Sequence, residues 1–146
     1  MQYLHTMVRI SSIEESLDFY CSGLGMVEVS RQENKKGQFT LIFLAAPYDL
    51  ESASQLKAPM LELTYNWEVE EYTSSRNFGH LAFRVDDIYK TCAHLMERGV
   101  VINRPPRDGR MAFVRSPDDV SIELLQFGEP KNPEDPWLSM PNLGIW

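Results

Sequence analysis

Long apolar runs are missing from this sequence: no stretch of about 18 uncharged apolar residues occurs, so no segment is expected to span a membrane as a helix. Cysteine is scarce. Cys21 and Cys92 are the only two, far too few for a disulfide framework, and both are read as reduced thiols in helical segments of a cytoplasmic protein. Positive charge is in deficit: 14 Lys and Arg stand against 21 Asp and Glu, a net charge of −7. Nucleic acid and anionic membranes, which select basic faces, are therefore excluded as the main partners. The opening MQYLHTMVRI has no basic region followed by an apolar core, so no signal peptide is expected. What remains is a 146-residue chain, 43% apolar and 24% charged, with the balance of one ordinary globular domain.

The chain alternates strand-like and helix-like patterns. Residues 3–10 (YLHTMVRI) read as a strand. Ser11-Ser12 offers a helix cap, with Glu14 and Glu15 where the helix dipole favours acids and Gly23 and Gly25 at the stop. Residues 39–46 (FTLIFLAA) and 59–67 (PMLELTYNW) are further strands, and a polar linker with Glu68, Glu70 and Glu71 follows. The pattern then restarts. Residues 78–85 (FGHLAFRV) read as a strand, Asp86-Asp87 caps a helix that ends near Gly99, and residues 111–115 and 120–127 are strands around a Ser116-Pro117-Asp118-Asp119 turn. His94 falls within that helix, away from the strand faces, and reads as an exposed or structural histidine.

This order is β-α-β-β-β, written twice. His5 and Arg9 recur 75 residues later as His80 and Arg84, and Leu61-Glu62-Leu63 recurs 61 residues later as Ile122-Glu123-Leu124. The first copy is therefore longer by about 14 residues, placed between Lys35 and Ala58. The resulting expectation is an α+β domain over residues 1–128, built of two modules (about 1–67 and 78–128) whose mixed sheets curve, with residues 129–146, including Trp137 and Trp146, as an irregular tail.

Side chains alternate along a strand, so His5 and Arg9 share one face of the first strand, Glu62 and Asn66 one face of the fourth, and His80 and Arg84 one face of the fifth. The opposite faces are mainly apolar and await a helix. A lone histidine in a strand is commonly a satisfied structural residue, and a lone glutamate a surface acid. Here, however, a glutamate flanked by Leu or Ile stands in the equivalent strand of both copies, where glutamate is a poor strand former and costly to bury without a partner. Two imidazoles and two carboxylates make a nitrogen–oxygen donor set suited to Zn, Ni, Co, Fe or Mn, and without thiolates it does not fit a structural zinc.

The strings LHTMVRI, SLDFY, GLGM, LELTYNW, FGHLAFRV, SPDD and SIELL resemble the lactoylglutathione lyases of the vicinal oxygen chelate superfamily, over residues 1–126. The resemblance implies the glyoxalase/bleomycin resistance fold of paired βαβββ modules. It implies a homodimer whose shared sites hold a divalent metal, Ni in preference to Zn or Co, through His5, Glu62, His80 and Glu123. The implied substrate is the hemithioacetal of glutathione and methylglyoxal, with Glu123 as the base and Glu62 serving the opposite face. It further implies that Arg9, Asn66 and Arg76 hold glutathione, with Arg104 at its glycyl end, and it gives Arg84 no role. Residues 103–110 form a shorter loop than the family's, and the turn reads SPDD where a glycine is usual. Other metalloenzymes of the superfamily, such as thiol transferases and dioxygenases, and ligand-sequestering proteins are the competing readings. The three-ligand sites of dioxygenases leave Glu62 unexplained, and sequestering members lack the metal set.

Overall fold

A computed structural model describes residues 2–68, 71–72 and 78–145; Glu70, Arg76 and Trp146 lie outside them. Two compact units divide the chain, residues 1–73 and 74–146. In the first, strand β1 (His5–Ile10) leads to a short helix α1 (Ile13–Leu17) that widens into a π-helical turn through Gly23, then β2 (Val27–Asn34), β3 (Phe39–Ala45), helix α2 (Leu50–Leu56) and β4 (Met60–Asn66). In the second, β5 (Leu81–Val85) is followed by helix α3 (Ile88–Glu97), β6 (Ile102–Arg104), β7 (Met111–Arg115) and β8 (Ser121–Gln126). The sheet orders, β1-β4-β3-β2 and β5-β8-β7-β6, are the same topology twice. In each sheet the first and last strands pair in parallel and the remaining pairs are antiparallel, so both sheets are mixed. The expected α+β, βαβββ organisation is what the chain adopts.

Local chemistry explains the boundaries. The Ser12 hydroxyl accepts from the Glu15 N–H and the Asp87 carboxylate from the N–H groups of Tyr89 and Lys90, so both helices start at side-chain caps. Lys131 also donates to Asp87, at 2.7 Å, and this bond holds the Asp87 carboxyl below its ordinary range. At Asp119, φ is 64°, the left-handed conformation that the SPDD turn requires and that Asp tolerates. Two elements go beyond the sequence reading. Strand β2 was not separately expected, and about half of the extra length in the first module forms α2, which packs on β2.

Alternation sorts the faces. Leu61, Leu63, Ile122 and Leu124 are buried, whereas Glu62 and Glu123 between them stay partly accessible. In the second unit α3 lies on β6, β7 and β8, burying Ile88, Cys92 and Leu95. Burial pushes the Cys92 thiol up to about 12, so it stays protonated and inert. His94 is exposed on α3, as expected.

The tail is irregular yet docked. Trp137 is 5% exposed and stacks on Tyr89, with centroids 5.9 Å apart, and the Tyr89 hydroxyl donates to the Asn132 carbonyl. Arg107 donates to the Met140 carbonyl and Asn142 Oδ1, and Asn103 and Leu143 exchange two hydrogen bonds along the outer edge of β6. Gly109 lies so close to the Lys131 backbone that a Cβ there would overlap the Lys131 carbonyl. Trp137→Ala is expected to cost about 3 kcal/mol, the usual toll for emptying a buried tryptophan site. Urea unfolding measures it, and a loss below about 0.5 kcal/mol, typical of a surface substitution, would show the tail to be undocked.

Candidate metal and substrate site

The register of the sheets decides which side chains meet. In the first unit β1 runs parallel to β4, with Met7 beside Glu62 and Arg9 beside Thr64, and Phe43 of β3 stands directly opposite Glu62. His5 thereby reaches Glu62: Nε2 to Oε2 is 3.0 Å, and the side chains are 36% and 13% exposed. Thr64 Oγ1 donates to the other carboxylate oxygen at 3.3 Å. The Phe43 ring meets the imidazole edge-on, with centroids 5.9 Å apart.

The second unit repeats this. His80 Nε2 lies 3.1 Å from Glu123 Oε2, with side chains 43% and 15% exposed. Phe113, directly opposite Glu123, meets the His80 ring edge-on at 5.5 Å. Each unit thus builds a half-open imidazole–carboxylate pair over an aromatic ring. Sequence reading found the His and Glu residues but missed Phe43 and Phe113. Their signal is cross-strand register, which appears only once β3 is laid against β4 and β7 against β8.

The pairs fit a divalent ion. Two donors each about 2.1 Å from one ion and at right angles around it sit ~3.0 Å apart, as both pairs do; a tetrahedral angle would spread them to ~3.4 Å. Among the described residues, no group of three or more His, Cys, Asp or Glu side chains comes within reach of one ion, so each unit offers two ligands.

The other expected contacts divide. Arg9 is exposed on the His5 face, and Asn66, half-buried, ends the Glu62 face of β4. Arg76 lies outside the described residues. Arg104 is engaged within its own loop, donating to Asp108 at 3.0 Å and to the Met111 carbonyl, so its guanidinium braces residues 104–111. Arg84, given no role by the sequence, is exposed on the His80 face with its guanidinium 4.6 Å from the centroid of the Phe127 ring.

Comparison with known proteins follows the same lines. The family model described as Glyoxalase/Bleomycin resistance protein/Dioxygenase superfamily matches residues 2–124. A probable lactoylglutathione lyase of Synechocystis is 36% identical over 137 residues, covering 90% of this chain and 100% of that protein. The lactoylglutathione lyase of Haemophilus influenzae is 40% identical over 131 residues, covering 86% of this chain and 93% of its own. Among solved structures, the glyoxalase I of Leishmania major, described as trypanothione-dependent, superposes with a TM-score of 0.77 at 34% identity, over 86% of both chains.

Proposed function

The chain belongs to the glyoxalase/bleomycin resistance protein/dioxygenase superfamily, and from that premise we propose that it catalyses the lactoylglutathione lyase reaction, isomerising the hemithioacetal of glutathione and methylglyoxal to S-lactoylglutathione. The observation that carries this reading is the duplicated His–Glu pair, at 3.0 and 3.1 Å, in a chain whose relatives bear that enzyme's name. In the proposed enzyme, His5 and Glu62 of one subunit and His80 and Glu123 of its partner hold one divalent ion, so a homodimer carries two shared sites. Nickel is favoured over zinc or cobalt because the short chain resembles the bacterial members of the family. When bound, the ion supplies Lewis-acid polarisation of the substrate's vicinal oxygens.

The chain's own groups do the rest. Glu123 takes the proton from one carbon of the hemithioacetal and returns it to the neighbouring carbon, and Glu62 serves the opposite face. Each carboxylate stands directly opposite a phenylalanine across the sheet, Glu62 opposite Phe43 and Glu123 opposite Phe113. Arg9 and Asn66 hold the glutamyl end of glutathione, and Arg76 reaches a glutathione carboxylate. The proposed enzyme is cytoplasmic, and no helix among the described residues is long and apolar enough to cross a membrane.

The test is the initial rate of S-lactoylglutathione formation by the purified, metal-loaded chain. Glu123→Gln is expected to cut kcat at least about 100-fold, the low end for losing a general base. A variant within about threefold of the parent removes Glu123 from the proton transfer, and a parent without activity removes the reading itself. A protein that merely sequesters ligand would bind the conjugate yet form no product.

A further inference from the structure

The repeat that produces the two His–Glu pairs also produces two arginines, and only one has been given work. Arg9 follows His5 by four residues, and Arg84 follows His80 by four. The match extends across the sheet. Asn66 follows Glu62 by four residues, and Phe127 follows Glu123 by four. Arg84 and Phe127 therefore occupy, in the second module, the two positions that Arg9 and Asn66 occupy in the first.

The register places them together on the accessible face. Ala82 of β5 lies beside Glu123 and Arg84 beside Leu125, with Met111 of β7 on the other side of Leu125. Side-chain alternation puts His80, Ala82 and Arg84, then Glu123, Leu125 and Phe127, on the same side of the sheet. Four residues of extended chain separate Arg84 from His80 by about 13 Å between α-carbons.

The charges on that face are not equivalent. Arg115 is engaged, donating to the carbonyls of Ile145 and Asp119 and pairing with the Asp119 carboxylate at 3.0 Å. Arg104 is engaged with Asp108 and the Met111 carbonyl. Arg84 has the Phe127 ring, and among the described residues no acid pairs with it within salt-bridge distance. A guanidinium beside an aromatic ring is held by its charge and still has in-plane N–H donors, which form the fork that grips a carboxylate through two bonds. In a chain of net charge −7, an anionic substrate needs such local cations to be drawn in.

We propose that Arg84, steadied by Phe127, binds the glycyl carboxylate of the glutathione moiety, as Arg9 binds the glutamyl end. This assignment rests on the glutathione reading above. It gives the glycyl carboxylate a partner in addition to Arg104, whose guanidinium is bonded within its own loop. Arg84 is remote from the reacting carbons, so it sets affinity and thiol specificity and leaves the proton transfer alone.

The experiment uses the metal-loaded full chain, S-methylglutathione, and the same conjugate esterified at its glycyl carboxylate. Arg84→Ala is expected to raise the Kd for S-methylglutathione about tenfold, the scale of one charge-assisted carboxylate contact, and to leave the Kd for the ester within about twofold. Arg84→Lys recovers part of the loss, because it restores charge without the fork. In turnover the change falls on KM, with kcat within about threefold of the parent. A merely structural arginine would weaken both ligands alike. Equal weakening, or none, overturns the assignment while the glutathione reading stands. A parent that binds neither conjugate overturns both, which separates the two failures. Thermal melting shows that the exposed Arg84 site has not cost the fold.

Discussion

Stripped of metal by a chelator, the protein is expected to lose isomerase activity to the level of the uncatalysed reaction and to regain it with Ni, and to a smaller extent with Zn. The expectation follows from what the side chains can and cannot do alone. Each His–Glu pair is a self-contained polar contact, 3.0 Å in one unit and 3.1 Å in the other, and supplies no electrophile for a carbonyl oxygen. Without an electrophile, abstracting a proton next to a carbonyl leaves unstabilised charge on oxygen, and such stabilisation commonly dominates catalysis. The donor set holds imidazole nitrogen and carboxylate oxygen, with no thiolate. Cys92 is buried with a thiol that stays protonated, which leaves the borderline and hard divalent ions as candidates. Elemental analysis must confirm that the metal has gone. Reloading should also raise the thermal midpoint, since an ion that binds the folded chain stabilises it by mass action. Metal-free protein that keeps full turnover would remove the ion from the reaction. Recovery with zinc alone would overturn the proposed preference for nickel.

How much of this was legible in the sequence depends on the range of the interaction. The βαβββ repeat was legible because its signals are local: Ser12 and Asp87 cap helices within three residues, and the apolar faces of β4 and β8 alternate residue by residue. The four proposed ligands stood out because a histidine in the first strand and a glutamate in the last recur at matching places in both copies. Strand β2 was not separately legible. Its residues VEVSRQEN are exposed or half-exposed, so burial imposed no period on them. Helix α2 is seven residues long and buries only Ala53, too little for a helical pattern to register. Phe43 and Phe113 were invisible for another reason: they meet His5 and His80 through register across strands. The docked tail is the extreme case. Arg107 meets Met140 across 33 residues and Asn103 meets Leu143 across 40, and nothing local in the sequence announces such pairs. The partner of Arg104 met the same difficulty. Spacing can place an arginine in a loop, but only the fold shows that it meets Asp108.

His5→Ala and His80→Ala, each prepared alone, are expected to be inactive, and a mixture of the two, allowed to exchange subunits, is expected to recover activity. Each unit contributes one pair of donors to a four-donor site, so removing either imidazole takes one of the four ligands from every site in a dimer of identical variants. The loss should be at least about 100-fold, beyond that from groups that only support a ligand. In a mixed dimer the arithmetic changes. One proposed site combines the His5→Ala module with the His80→Ala module and lacks both imidazoles. The other combines the intact first module of one chain with the intact second module of its partner and lacks none. Random exchange makes about half of the dimers mixed, each with one of two sites restored, so about a quarter of the parent activity should return. If both pairs that serve an ion came from the same chain, no chain in the mixture would carry a complete set, and mixing would recover nothing. A single variant that stayed active would show that three of the four ligands suffice. The experiment reads the ligand set and the subunit arrangement together, because only a site completed by a second chain can be rebuilt from two broken ones.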